Sequence, residues 1–191
     1  MSFFKRRREG LGGAKPIDDL AKAYPHDAFT AVHGLSPYPK KTRISDQGVF
    51  AYRLEFMVAI ADAALVVDAL QSEFDVGNGE VFQEGQARNG EIAVHFSIRE
   101  EFGGAVVVML TNSASLLARI DALRLEPPPP WSVFADSDPS TLSSLQGAME
   151  YWWDWLFLPF WAALDDPSRS RYLEKHAVNE DWLEFLKTHA P

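Results

Sequence analysis

The 191-residue chain has no cysteine. Disulfides, thiolate nucleophiles and cysteine-based zinc sites are therefore excluded. It also lacks a long apolar run. In its most aromatic stretch the longest segment free of charge is Trp155 to Leu164, and Pro159 interrupts it. That is too short to cross a bilayer as a helix, so no transmembrane segment is expected. Metal-ligand spacing is missing too. The five histidines, His26, His33, His95, His176 and His189, form no H-x-H or H-E-x-x-H pair. Asp136-Ser137-Asp138 opens like a calcium loop but does not continue as one. Gly10-Leu11-Gly12-Gly13-Ala14-Lys15-Pro16 has the glycines of a phosphate loop without its Gly-Lys-Ser/Thr ending, and Pro16 removes a needed donor. G-x-S-x-G and G-x-G-x-x-G are both absent. No metal or cofactor is expected.

Basic charge is scarce beyond residue 45. The first 45 residues hold nine Lys/Arg and four Asp/Glu, whereas the remainder holds nine and twenty-three. The body is strongly acidic, so nucleic acid is excluded as an expected partner and a basic protein surface is favoured. The run Lys5-Arg6-Arg7-Arg8 has no apolar segment after it, so no export signal is visible and a cytoplasmic location is expected.

What the chain does have is aromatic side chains. From Tyr151 to Trp161 seven of eleven residues are aromatic, four of the six tryptophans are here, and Asp154 is the only charge. Each buried aromatic removes roughly 150–250 Å² from water, so the segment must be covered, by its own fold or by a partner. On a helical wheel Met149, Trp152, Trp153, Leu156 and Phe160 form one stripe, widened by Phe157, Trp161 and Leu164. Tyr151, Trp155, Leu158 and Ala162 form a second. With both flanks apolar, most of the helix is expected in the core, leaving its outer edge for binding.

The rest of the chain reads as follows. Residues 1–16 form a flexible basic leader, and 17–191 one α+β domain, with an α/β part to 126 and a helical layer from 131. A short helix covers Ile17 to Ala23, and 34–48 is a loop. Phe50 to Ile60 alternates like a strand, but apolar residues also repeat at helical spacing from Tyr52 to Phe74, and length favours a helix over 51–74. A β-meander follows, turned at Asn78-Gly79, Asn89-Gly90 and Gly103-Gly104. Its first strand, 80–86, is polar and suits an edge. The second, 91–100, puts Ile92, Val94, Phe96 and Ile98 on the core face and Ala93, His95, Ser97 and Arg99 on a solvent face. The third, 105–110, is unbroken apolar and central. Ser113 caps a helix to about Leu123. Prolines 127–130 form a stiff spacer. Helices follow over 139–164, interrupted before Pro159, then 167–176 and 180–188. Their start signals are Asp138-Pro139, Asp166-Pro167 and Asn179.

The fold class expected is thus a small antiparallel meander packed by helices, with a helical C-terminal layer. The leading functional expectation is a non-enzymatic acidic protein-binding module, of the type of immunity proteins that neutralise a basic toxin or enzyme by occluding its surface. That is an analogy of type. The residues expected to carry it are Asp165, Asp166, Glu180 and Asp181 with Trp182 at the rim, and Glu73, Asp75, Glu80 and Glu84 as a second acidic edge. One alternative is a secretion chaperone or adaptor that holds an apolar client segment; a homodimer is allowed. Another is an enzyme whose site is assembled from distant residues such as His95, Arg99 and a carboxylate.

Overall fold

Two tight hairpins organise the middle of the chain. Asn89 pairs with Ile92 across the loop Gly90-Glu91, and Glu101 pairs with Gly104 across Phe102-Gly103. Gly90 takes the left-handed backbone at φ +61° that such loops need. In the second loop both residues are left-handed, Phe102 at +54° and Gly103 at +66°. The Phe102 ring packs on Tyr151, with centroids 6.2 Å apart. The computed structural model describes residues 17–77, 80–139 and 146–190. The expected basic leader, the Asn78-Gly79 turn and residues 140–145 of the expected long helix lie outside them.

The strands are β1 (Thr42–Ile44), β2 (Ala51–Ala59), β3 (Gln83–Asn89), β4 (Ile92–Glu101) and β5 (Gly104–Thr111). They form one antiparallel sheet in the order β1-β2-β5-β4-β3. Around it lie α1 (Ile17–Ala23), α2 (Ala63–Gln71), α3 (Ala114–Ala122), α4 (Pro130–Val133), α5 (Ala148–Tyr151), α6 (Leu158–Ala163), α7 (Asp166–Lys175) and α8 (Glu180–His189). The fold is α+β, with a helical C-terminal region. No helix among the described residues is long and apolar enough to cross a membrane.

The apolar run of β5 is the central strand and is buried throughout. On one sheet face Leu54, Phe56, Val58, Val107, Met109, Phe96 and Ile98 join the buried sides of α2 and α3 in the main core. On the other face Ala51, Leu110 and Ala93 meet Ala23 and Tyr24 in a second, small core. This second cover corrects the half-buried reading of β4. His95 and Ser97 are buried along with Ala93, at 8% and 1% exposure.

The expected helix over 51–74 is also corrected. Residues 51–59 are β2, a short 3-10 turn spans Ile60–Asp62, and only Ala63–Gln71 is α-helical. The reason is that β2 is an inner strand buried on both faces. Met57 and Val58 are apolar on both faces, so polar alternation stops after Glu55 and helical spacing fits the rest. Arg53 and Glu55 give the strand away: at i, i+2 they share a strand face and pair at 2.8 Å, which helix geometry does not allow.

The aromatic segment forms one continuous helix with a wide π turn, Trp152–Phe157, between α5 and α6. The buried residues come in pairs, 152/153, 156/157 and 160/161, every four positions. A regular α-helix has 3.6 residues per turn, so such pairs would drift around it. The wide turn keeps them on one side. Pro159 favours it, because it has no N–H and its ring crowds the carbonyl four residues back. The helix is thus widened before Pro159 and not broken there. α7 begins one residue earlier than expected: Asp165 is its cap and accepts from the Ser168 amide at 2.9 Å. Ser113 and Asn179 cap α3 and α8 as read from sequence. The proline spacer is tied down, since Tyr172 donates its hydroxyl to the Pro127 carbonyl at 2.9 Å.

Candidate functional site

The acidic residues singled out by sequence fall into two groups on the surface. Asp165 and Asp166 start α7, and Glu180 and Asp181 start α8; all four are exposed. The ten residues of α7 separate the two pairs by about 15 Å of helix axis. They are thus neighbouring patches and not one cluster. Hydrogen bonds from the Ser168 hydroxyl and amide hold the Asp165 carboxyl below its ordinary range, so it stays ionised. Asp166 lies 4.0 Å from Arg169 with its carboxylate almost fully in water, which makes that pairing weak. Trp182 departs from expectation. It is 4% exposed and packs edge-on against Phe185 at 5.3 Å, so it belongs to the core and cannot serve as a rim anchor.

In the second group, Asp75, Glu80 and Glu84 are exposed. Glu73 is not part of that edge. Its Oε1 accepts from the hydroxyls of Ser113, at 2.7 Å, and Ser115, so it ties the end of α2 to the start of α3. A carboxylate there is favoured by the positive end of α3. Glu84 sits on β3, opposite Ser97 of β4.

The polar face of the sheet holds the residues that an assembled catalytic site would need. The register places Arg53, Leu110, His95 and Gln86 in one row, and Glu55, Val108, Ser97 and Glu84 in the next. These groups are engaged with each other. Arg53 donates to Glu55 at 2.8 Å, and Tyr151 donates to the other Glu55 oxygen at 2.8 Å. Arg99 donates to Ser97 at 3.1 Å and to Glu101 at 2.9 Å. Tyr24 gives its hydroxyl proton to the Leu110 carbonyl at 2.7 Å. Its oxygen is also 2.6 Å from His95 Nδ1. Burial raises the pKa of both tyrosines, and at Tyr151 the Glu55 carboxylate adds to it, so neither is a base at neutral pH.

On that face His95 contacts Tyr24, and Ser97 accepts from Arg99. Arg99 lies four strand positions beyond His95, about 13 Å along β4. A proton relay of the serine–histidine type needs direct hydrogen-bond reach between its members. A groove does open between α1 and the β3–β4 hairpin, lined by Asp19, Lys22, Gln86, Arg88 and His95. Arg88 spans it, donating to the Lys22 carbonyl at 2.8 Å. Among the described residues no group of three or more His, Asp or Glu side chains is placed to hold a metal ion.

Sequence reading missed the Arg53–Glu55–Tyr151 chain and the Tyr24–His95 pair. The first was legible only with 51–59 taken as a strand. The second joins residues 71 positions apart and left no local signal.

The outer stripe of the aromatic helix is where sequence reading put it. Trp155 is 39% exposed, Ala162 is exposed, and Tyr151 and Leu158 are half-buried. Ile60 and Leu65 add apolar surface near the start of α2. No protein-family model, curated protein or solved structure matches this chain.

Proposed function

We propose that the protein is a non-enzymatic binding module that presents acidic surface to a basic protein partner, in the manner of an immunity-type inhibitor. One observation carries this reading. The carboxylates at the starts of α7 and α8, Asp165, Asp166, Glu180 and Asp181, are exposed and close in sequence to a buried aromatic core that holds both helices in place. The polar groups of the sheet face, by contrast, are paired among themselves. Asp75 and Glu80 extend the acidic surface elsewhere.

Charges so placed steer a basic partner and set register; their place on helices packed on the core limits the entropy lost on docking. Occlusion of the partner's own site then needs no chemistry from this chain. Capture from the native host with the full chain, beside a variant carrying Asp165→Lys, Asp166→Lys, Glu180→Lys and Asp181→Lys, tests the reading. A basic protein retained by the wild type and lost by the variant supports it. An acidic partner, or equal capture by both, contradicts it.

The exposed edge of Trp155 favours a second reading, an adaptor or chaperone holding an apolar client segment. In that case Trp155→Ala would abolish capture and the four lysine substitutions would not.

A further inference from the structure

The two edges of the sheet are unlike each other. β1 is three residues long, whereas β3 runs for seven, Gln83–Asn89. Its pairing with β4 is unbroken from Gln83↔Ile98 to Asn89↔Ile92, so no bulge twists it away. The strand has no proline and no lysine, and its two charges, Glu84 and Arg88, are of opposite sign. Glu84, Gly85, Gln86, Arg88 and Asn89 are all exposed. A strand edge of this kind offers alternate N–H and C=O groups to another strand.

The side-chain order of β3 is self-complementary. Glu84, Gln86 and Arg88 share one face, because strand side chains alternate. An antiparallel pairing of two β3 strands about a two-fold axis at Gln86 sets Gln86 opposite its own copy. It sets Glu84 opposite Arg88 of the second chain, and Arg88 opposite Glu84. Gly85 then faces Ala87, and Gln83 faces Asn89. Both charged pairs are attractive, with no like charges opposed, and Arg88, which gives Nη2 to the Lys22 carbonyl of its own chain, has further N–H groups for Glu84. Moving the axis by one residue, to Gly85 or Ala87, puts Glu84 opposite Gln86 or Arg88 opposite Gln86 and loses both ion pairs. Directly opposed residues in such ladders lie close enough for their charges to decide register.

We propose that β3 is a self-association edge, through which two copies of this chain join their sheets antiparallel about Gln86. The interface is isologous, so it closes at two chains and does not propagate. It assigns Glu84 to the contact between copies, which leaves Asp75, Glu80 and the helix-end acids for another protein. The inference stands apart from the proposed function, since it needs only the purified chain.

Sedimentation velocity of the full chain over about 1–200 µM tests it. The wild type is expected to shift from monomer to dimer across that range. Glu84→Arg and Arg88→Glu each replace two attractive pairs with two repulsive ones, and each is expected to raise the dimer dissociation constant on the order of tenfold. The double variant restores opposite charges across the axis and is expected to return to the wild-type value. Circular dichroism of each variant verifies that the fold persists. A wild type that stays monomeric at the highest concentration overturns the proposal. So does a dimer indifferent to the single changes, or a double variant no better than the singles.

Discussion

Lys41 Nζ lies 2.7 Å from Asp121 Oδ1, with both side chains largely shielded from water. This pair clamps the loop before β1 to the last turn of α3. Asp121 also accepts from the Ser36 amide at 3.0 Å, so both of its partners come from the same loop. Breaking a shielded pair leaves the other charge uncompensated. Asp121→Asn keeps the shape and loses the charge. It is expected to cost about 2–3 kcal/mol, discounted from the fully buried range because Asp121 retains some exposure. Urea unfolding at neutral pH checks this.

The same pair gives an acid-side prediction. Burial by itself would raise the Asp121 pKa, but the hydrogen bonds from Lys41 and Ser36 outweigh it and hold the carboxyl below its ordinary value of 3.8. A depressed folded pKa contributes stability that is present above the unfolded value and lost as pH falls through the folded one. Stability that depends on Asp121 should therefore fall away below about pH 4. In Asp121→Asn that part of the acid-side slope should be missing.

His176 titrates in a separate window. Its ring packs on Tyr172 at a centroid distance of 4.5 Å, and its Nε2 is enclosed 3.8 Å from Glu126. Burial lowers its pKa from the ordinary 6.5, and the Lys175 charge adds to the lowering, while Glu126 opposes it. The folded protein resists the proton more than the unfolded chain does, so stability present above about pH 6.5 is lost as pH falls toward the folded value. Thermal melts between pH 7.5 and 5 should show a falling midpoint, and His176→Phe should flatten that fall. An unchanged slope in the variant would count against this assignment.

The aromatic helix makes a graded prediction. Trp152 is fully buried, stacks on Phe157 at 5.1 Å and donates its indole N–H to Met57 sulfur at 3.1 Å. Trp152→Ala is expected to cost about 3–5 kcal/mol. Trp155 is 39% exposed, and Trp155→Ala should cost under about 1 kcal/mol. Equal losses at the two positions would show that the wheel, and with it the wide turn, is misplaced.

Several parts of this fold were legible in the sequence because their causes are local. Ser113 and Asn179 cap the helices they precede, Gly90 and Gly103 turn the hairpins, and Ala105 to Leu110 forms the central strand. Elements whose cause is distant were not legible. β2 imitates a helix because it is buried on both faces and its apolar residues also fall at helical spacing. His95 lies on the polar side of β4 yet is covered, and its partner Tyr24, just past the end of α1, is 71 residues away. Trp182 sits beside Asp181 in sequence, but it lies on the buried face of α8 with Phe185 and Leu186. Glu73 looked like surface acid until Ser113 and Ser115 claimed it. The acidic helix starts were legible because capping and the helix dipole favour carboxylates there.

The most direct test of the binding account is the association rate of the full chain with the protein it captures from its host, measured by stopped flow from about 25 to 500 mM salt. Steering by Asp165, Asp166, Glu180 and Asp181 predicts a rate that falls by at least tenfold over that range as the Debye length shrinks, with a much smaller change in the dissociation rate. An association rate that stays flat across the range would contradict it.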